Sequence, residues 1–97
     1  MKARQGDLLI QKIDQLPRGL KTKVDTVILY GEATGHKHQL VGGKVQLDGQ
    51  GLIYLLLAKA GKIVHEEHGT IHLKAGKYAV IRQREYTSGD MTKLVVD

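Results

Sequence analysis

Twelve glycines and one proline punctuate the 97 residues, and between them no dozen-residue window repeats apolar positions at helical spacing. Short apolar stretches bounded by turn residues read instead as strands. The expected strands are Asp7–Ile13, Val24–Tyr30, His36–Val41, Lys44–Asp48, Leu52–Ala58, Lys62–His65, Thr70–Lys74, Lys77–Arg84 and Met91–Val96. Gly42-Gly43 reads as a two-residue hairpin loop, because both positions tolerate positive φ. Lys59-Ala60-Gly61, Ala75-Gly76 and Thr87–Asp90 read as further turns, and Gln11–Leu20 has room for no more than a short helical turn. The expectation is an all-β chain. About eight short strands form an antiparallel meander, closed into a small barrel or sandwich as one domain over residues 1–97.

Composition narrows the function. Hydrophobic residues make up 41% of the chain and charged ones 26%, a globular balance rather than a disordered one. The longest apolar run, Leu52–Ala58, is strand-length, far short of the roughly 20 residues of a membrane helix. No apolar core follows the charged N-terminus, so no secretion signal is read and a cytoplasmic setting is expected. The absence of cysteine excludes disulfides, thiolate zinc sites and a cysteine nucleophile. The net charge of +5 is spread along the chain, with eight Lys+Arg and five Asp+Glu in residues 1–50. That favours anionic substrates through the field rather than through a basic tail.

Four of the five histidines fall in two tight pairs, His36-Lys37-His38 and His65-Glu66-Glu67-His68. A Gly42-Gly43 hairpin would set His36, His38, Leu40, Val45 and Leu47 on one face, and Lys37, Gln39, Val41, Lys44, Gln46 and Asp48 on the other. The first pair is therefore expected to point inward. His65 and His68 can converge only if a turn bends the chain between them, and the Glu-Glu-His-Gly composition favours one. Whether His65 faces the interior depends on the Asp48–Gly51 connection: a three-residue loop turns it inward, a two-residue loop outward. His72 is expected outside, with Lys74.

Imidazole is a common ligand for zinc, nickel, iron and copper, and H-x-H on a strand puts two rings on one side. The first functional expectation is a divalent transition metal held by His36, His38, His65 and His68, with Glu32, Glu66 or Glu67 as an oxygen donor. Such a centre would serve a metal-dependent hydrolase or an oxygenase-like enzyme, with Glu67 or Tyr86 carrying a proton. The alternative is a metal-independent, ribonuclease-like phosphodiesterase. In it, His36 or His38 is the base, His65 or His68 the acid, and Lys37, Arg82 or Arg84 holds the phosphate. A third reading is a single-stranded nucleic-acid-binding barrel in which the histidines are incidental. RNA or another anion is thus the expected partner, no membrane is involved, and an edge strand such as Met91–Val96 is available to pair with a second copy. Ser88 lacks a nucleophile-elbow context, and Gly31–Gly35 has no P-loop Lys-Ser/Thr after it.

The stretch Gly35-His36-Lys37-His38, followed by a sheet-rich segment and Leu73-Lys74-Ala75-Gly76-Lys77-Tyr78, resembles the cupin family. The resemblance implies a small β-barrel that holds a metal through His36 and His38. The glutamate that follows the pair in cupins is replaced here by Gly42-Gly43, so His65 or His68 would have to complete the set. Across most of its length the chain also resembles small uncharacterised bacterial and phage proteins. They share the stretches seen here as Gly31–His38, His65–His68 and Gln83–Tyr86.

Overall fold

The computed structural model describes residues 2–31 and 35–82. Arg84, Tyr86, Glu32, the Thr87–Asp90 turn and the expected strand Met91–Val96 lie outside them. Ten antiparallel strands form two open sheets, and no helix occurs among the described residues. The first sheet contains β1 (Lys2–Gln5), β2 (Leu8–Ile13), β3 (Lys21–Thr22), β6 (Lys44–Leu47), β7 (Ile53–Leu57) and β10 (Gly76–Arg82), in the order β1-β2-β10-β7-β6-β3. The second contains β4 (Val27–Tyr30), β5 (Lys37–Val41), β8 (Gly61–Val64) and β9 (Ile71–Leu73), in the order β4-β5-β8-β9. One apolar core is shared: Leu8, Ile10, Val45, Leu55, Leu57, Tyr78 and Val80 from the first sheet meet Ile28, Leu40, Ile63 and Leu73 from the second. The architecture is therefore a β-sandwich, not a closed barrel.

The chain changes sheets where the sequence suggested hairpins. Gly42-Gly43 does not pair β5 with β6; β5 pairs with β4 and β8, and β6 with β7 and β3. Lys59–Gly61 and Ala75-Gly76 are likewise crossings, from β7 to β8 and from β9 to β10. A glycine pair serves both purposes, because a crossing needs backbone against backbone as much as a turn needs positive φ. A Cβ on Gly61 would stand 2.5 Å from the Val41 carbonyl oxygen, and one on Gly43 would stand 2.8 Å from Leu57 Cγ. Alternation along each strand survives the change of partner, so the inward residues hold: His38, Leu40 and Val45 are buried, while Val41 and Lys44 are exposed. His36 and Leu47 are half-buried.

The Asp48–Gly51 register is now fixed. Leu47 faces Ile53, Val45 faces Leu55, and Asp48 N–H donates to the Leu52 carbonyl, leaving Gly49–Gly51 as a three-residue loop. Asp48 Oδ1 closes it by accepting from the N–H groups of Gln50 and Leu52, each at 2.8 Å. Leu55 and Leu57 thus face the core, as Ile63 does on β8.

Two strands were not anticipated. Lys2–Gln5 is polar except for Ala3, and Lys21–Thr22 is a two-residue edge. The first has a legible cause. Gly6-Asp7 closes β1 onto β2 with Gln5 opposite Leu8. Gly6 has φ +60°, and no residue other than glycine has positive φ among those described. That combination is a II′-type hairpin loop with glycine first.

Candidate functional site

The ladder between β5 and β8 builds the site. Val41 faces Lys62, Leu40 faces Ile63 and Gln39 faces Val64; one further step sets His38 beside His65, on the same face as buried Leu40 and Ile63. The chain then bends through residues 66–68 rather than continuing as strand, which brings His68 back to the same end. All four rings meet, with His65 at the hub. Its centroid lies 4.4 Å from that of His38, 4.6 Å from that of His68 and 5.6 Å from that of His36. The His38 and His68 rings are parallel at 6.4 Å. His38 is buried, His36 and His65 are half-buried, and His68 is exposed.

Gln5, from the unanticipated β1, anchors the deepest ring. Its Nε2 donates to the carbonyls of Ile63 (3.1 Å) and Gly69 (2.8 Å). With both amide protons committed, its Oε1 is the acceptor for His38 Nδ1 at 2.8 Å. His38 therefore carries its proton on Nδ1 and presents the Nε2 lone pair. Burial, followed by the neighbouring His65, lowers the His38 pKa to about 4, only partly opposed by Asp7. The ring is neutral at pH 7.

His65 is held in the opposite sense. Its Nδ1 accepts from the N–H groups of Glu67 (3.0 Å) and His68 (3.2 Å), so the neutral ring carries its proton on Nε2. This is also the local reason the turn forms: an imidazole caps two otherwise unpaired amides, as an Asx side chain does in turns. Glu66 Oε1 accepts from Lys37 N–H at 2.9 Å, and this bond, more than any other contribution, lowers its pKa. Glu67 Oε2 is 3.7 Å from His36 Nδ1.

His68 rests on the Gly6 loop. A Cβ on Gly6 would come within 2.9 Å of His68 Nε2 and 3.5 Å of His38 Cε1. Glycine is needed there twice, for its φ and for the ring above it. A search of the sequence for a Gly-Asp loop before an apolar strand would have found this residue. Nothing in the sequence alone singles out Gln5.

Three donors are close enough to share an ion. His36, His65 and Glu66 each offer a ligand atom within 4.8 Å of the others. Beside them a cleft of about 240 Å³ is lined by Lys37, Gln39, Val64, His65 and Glu66. Arg82, the remaining described phosphate candidate, ends β10 opposite Leu8, whose other neighbour is Gln5. Its buried Nε has no partner among the described residues. His72 is exposed, as expected.

Residues 4–83 match the model of a family described as a domain of unknown function, DUF8820. The chain belongs to the DUF8820 family. No curated protein and no solved structure matches it with significance. The matched span runs from β1 to just past β10, so all four clustered histidines, Gln5 and Gly6 fall within the DUF8820 domain. No helix of the described residues is long and apolar enough to cross a membrane.

Proposed function

We propose that the histidine pocket binds one divalent transition metal (zinc, nickel, iron or copper) and serves a metal-dependent hydrolase or oxygenase-like reaction. The observation that carries this reading is the set His36, His65 and Glu66, whose donor atoms lie within 4.8 Å of one another. Two imidazoles and a carboxylate suit hydrolytic zinc and non-haem iron alike. Donors around a tetrahedral zinc sit roughly 3.4 Å apart, given metal–ligand lengths of about 2.0–2.1 Å, so closure needs only a small movement. The Lys37 amide holds Glu66 as outer partners hold ligating carboxylates. His38 completes or lines the set: it is neutral, its Nδ1 proton is bound by Gln5, and its Nε2 is available. Binding at His65 Nε2 moves the ring proton to Nδ1 and gives up the two amide bonds of the turn. Those bonds contribute about 1 kcal/mol each, against the roughly 10–16 kcal/mol apparent for structural zinc, so the metal wins. A bound metal supplies an activated water, and Glu67 stands next to His36 to take its proton.

The test is elemental analysis of protein purified without an affinity tag. One metal per chain is expected, falling steeply in His36→Ala and Glu66→Gln; no metal in the wild-type chain rejects the reading.

A second reading is favoured by the opposed tautomers of His38 and His65. With no metal, His38 Nε2 accepts a proton and His65 Nε2–H donates one, the division of labour of a phosphodiesterase with Lys37 as its cation. RNA cleavage that survives excess chelator and is lost in His38→Ala would replace the metal reading with this one.

A further inference from the structure

The β4-β5-β8-β9 sheet has one face on the core and one outside. Register fixes what the outer face carries. Tyr30 faces Lys37, Gln39 faces Val64, Val41 faces Lys62, and Lys62 faces His72. Residues opposite one another share a face, and so do alternate residues along a strand. The outer face is thus crossed by an aromatic ring, two lysines and a histidine. Tyr30 is 58% exposed, unlike Tyr78, which is 1% exposed in the core. Among the described residues, the carboxylates near this face include Glu66 and Glu67, both at its histidine end, the first bonded to the Lys37 amide and the second 3.7 Å from His36 Nδ1, and Asp25, paired with Lys23 at 3.4 Å. The surface is therefore cationic over its centre. The cleft beside His65 is walled by three residues of this same face, Lys37, Gln39 and Val64. Face and histidine pocket are continuous.

We propose that this outer face binds a single-stranded nucleic acid, with Tyr30 stacked on a base and Lys37 and Lys62 on phosphates, leading a phosphodiester into the cleft at His65. Charge complementarity selects a polyanion, and the exposed ring selects one with unstacked bases over a duplex or a simple polyphosphate. An extended strand suits the geometry. Lys37 and Lys62 stand four ladder positions apart on adjacent strands, about 13 Å along the sheet at roughly 3.3–3.4 Å per residue, a span that one stretch of backbone follows. What happens at His65 rests on the metal reading above; the binding face does not.

The experiment is fluorescence anisotropy with the metal-stripped 97-residue chain and two labelled probes that differ only in the 2′-hydroxyl, oligouridylate and oligodeoxyuridylate. Binding of either supports the proposal, and the tighter of the two names the sugar. Tyr30→Ala should weaken binding roughly 5- to 50-fold, with Tyr30→Phe restoring it. Lys62→Glu should weaken it and make the log–log salt dependence, about −1.4 for two phosphate contacts, shallower by about 0.7. Circular dichroism checks that both variants fold, and both positions are exposed. Absence of binding, indifference to both substitutions, or equal competition by inorganic polyphosphate overturns the proposal. Metal without oligonucleotide binding removes the face and leaves the metal centre. Oligonucleotide binding without metal does the reverse.

Discussion

Gln5 and His38 lie 33 residues apart and share a 2.8 Å hydrogen bond inside the protein, the only polar side chains among the described residues to be fully buried. The bond joins the two sheets, since Gln5 belongs to β1 and His38 to β5. It also fixes which nitrogen of His38 faces the pocket.

Removing that amide should cost more than one bond. In Gln5→Leu the Ile63 carbonyl, the Gly69 carbonyl and His38 Nδ1 all lose their partner. Unsatisfied buried groups cost about 1–3 kcal/mol each, softened where Gly69 reaches water. Urea denaturation should show a loss of about 2–4 kcal/mol, and nitrogen-15 shifts of His38 should show a mixture of tautomers.

Acid should destabilise the metal-free protein through His38. Its folded pKa, about 4, is below the ordinary histidine value of 6.5. Between these values the unfolded chain binds the extra proton, so stability rises with pH. The contribution is complete above pH 6.5, declines as pH falls and is exhausted near pH 4. At about 1.36 kcal/mol per pKa unit it amounts to at most roughly 3 kcal/mol. Urea midpoints measured from pH 7.5 to 4 should follow that curve, and an NMR titration placing the His38 pKa near 6.5 would contradict it.

Metal should stabilise in proportion to its occupancy. A ligand at 100 times its dissociation constant adds about 2.7 kcal/mol, so the melting temperature should rise on adding zinc or nickel and return with chelator. His65→Ala should abolish the rise, because His65 contacts every other ring of the cluster.

Gly6→Ala tests the floor beneath His68. The substituted methyl group meets the His68 ring at 2.9 Å, on a backbone at φ +60°. A loss of about 1–2 kcal/mol is expected from the left-handed backbone and the displaced ring. His68 should shift away from His38, which histidine chemical shifts would detect.

Much of this was legible in the sequence, for a reason the pairing errors expose. Side-chain alternation depends only on the strand, so His38, Leu40 and Val45 could be set inward and His72 outward even though the assumed hairpins at Gly42-Gly43 and Ala75-Gly76 are crossings between sheets. Strand partners depend on long-range packing, which local turn chemistry does not encode. The convergence of His36, His38, His65 and His68 was expected from inward alternation and a turn after His65, but the face of His65 hung on the Asp48–Gly51 register, which only the paired strands decide. The donors that lie within 4.8 Å of one another are His36, His65 and Glu66, the last named from the sequence as an alternative oxygen donor. Gln5 was hidden because a lone buried amide in a polar strand looks like surface, and its role appears only when β1 is placed against β8 and β9.

The crossing at Gly61 reaches further than its position suggests. A side chain there would collide with the Val41 carbonyl and with Leu57 Cδ2, prising apart the two strands that carry the central imidazoles four residues away. Gly61→Ala should therefore alter the spacing of the rings from a corner that touches none of them, a change that histidine chemical shifts would register.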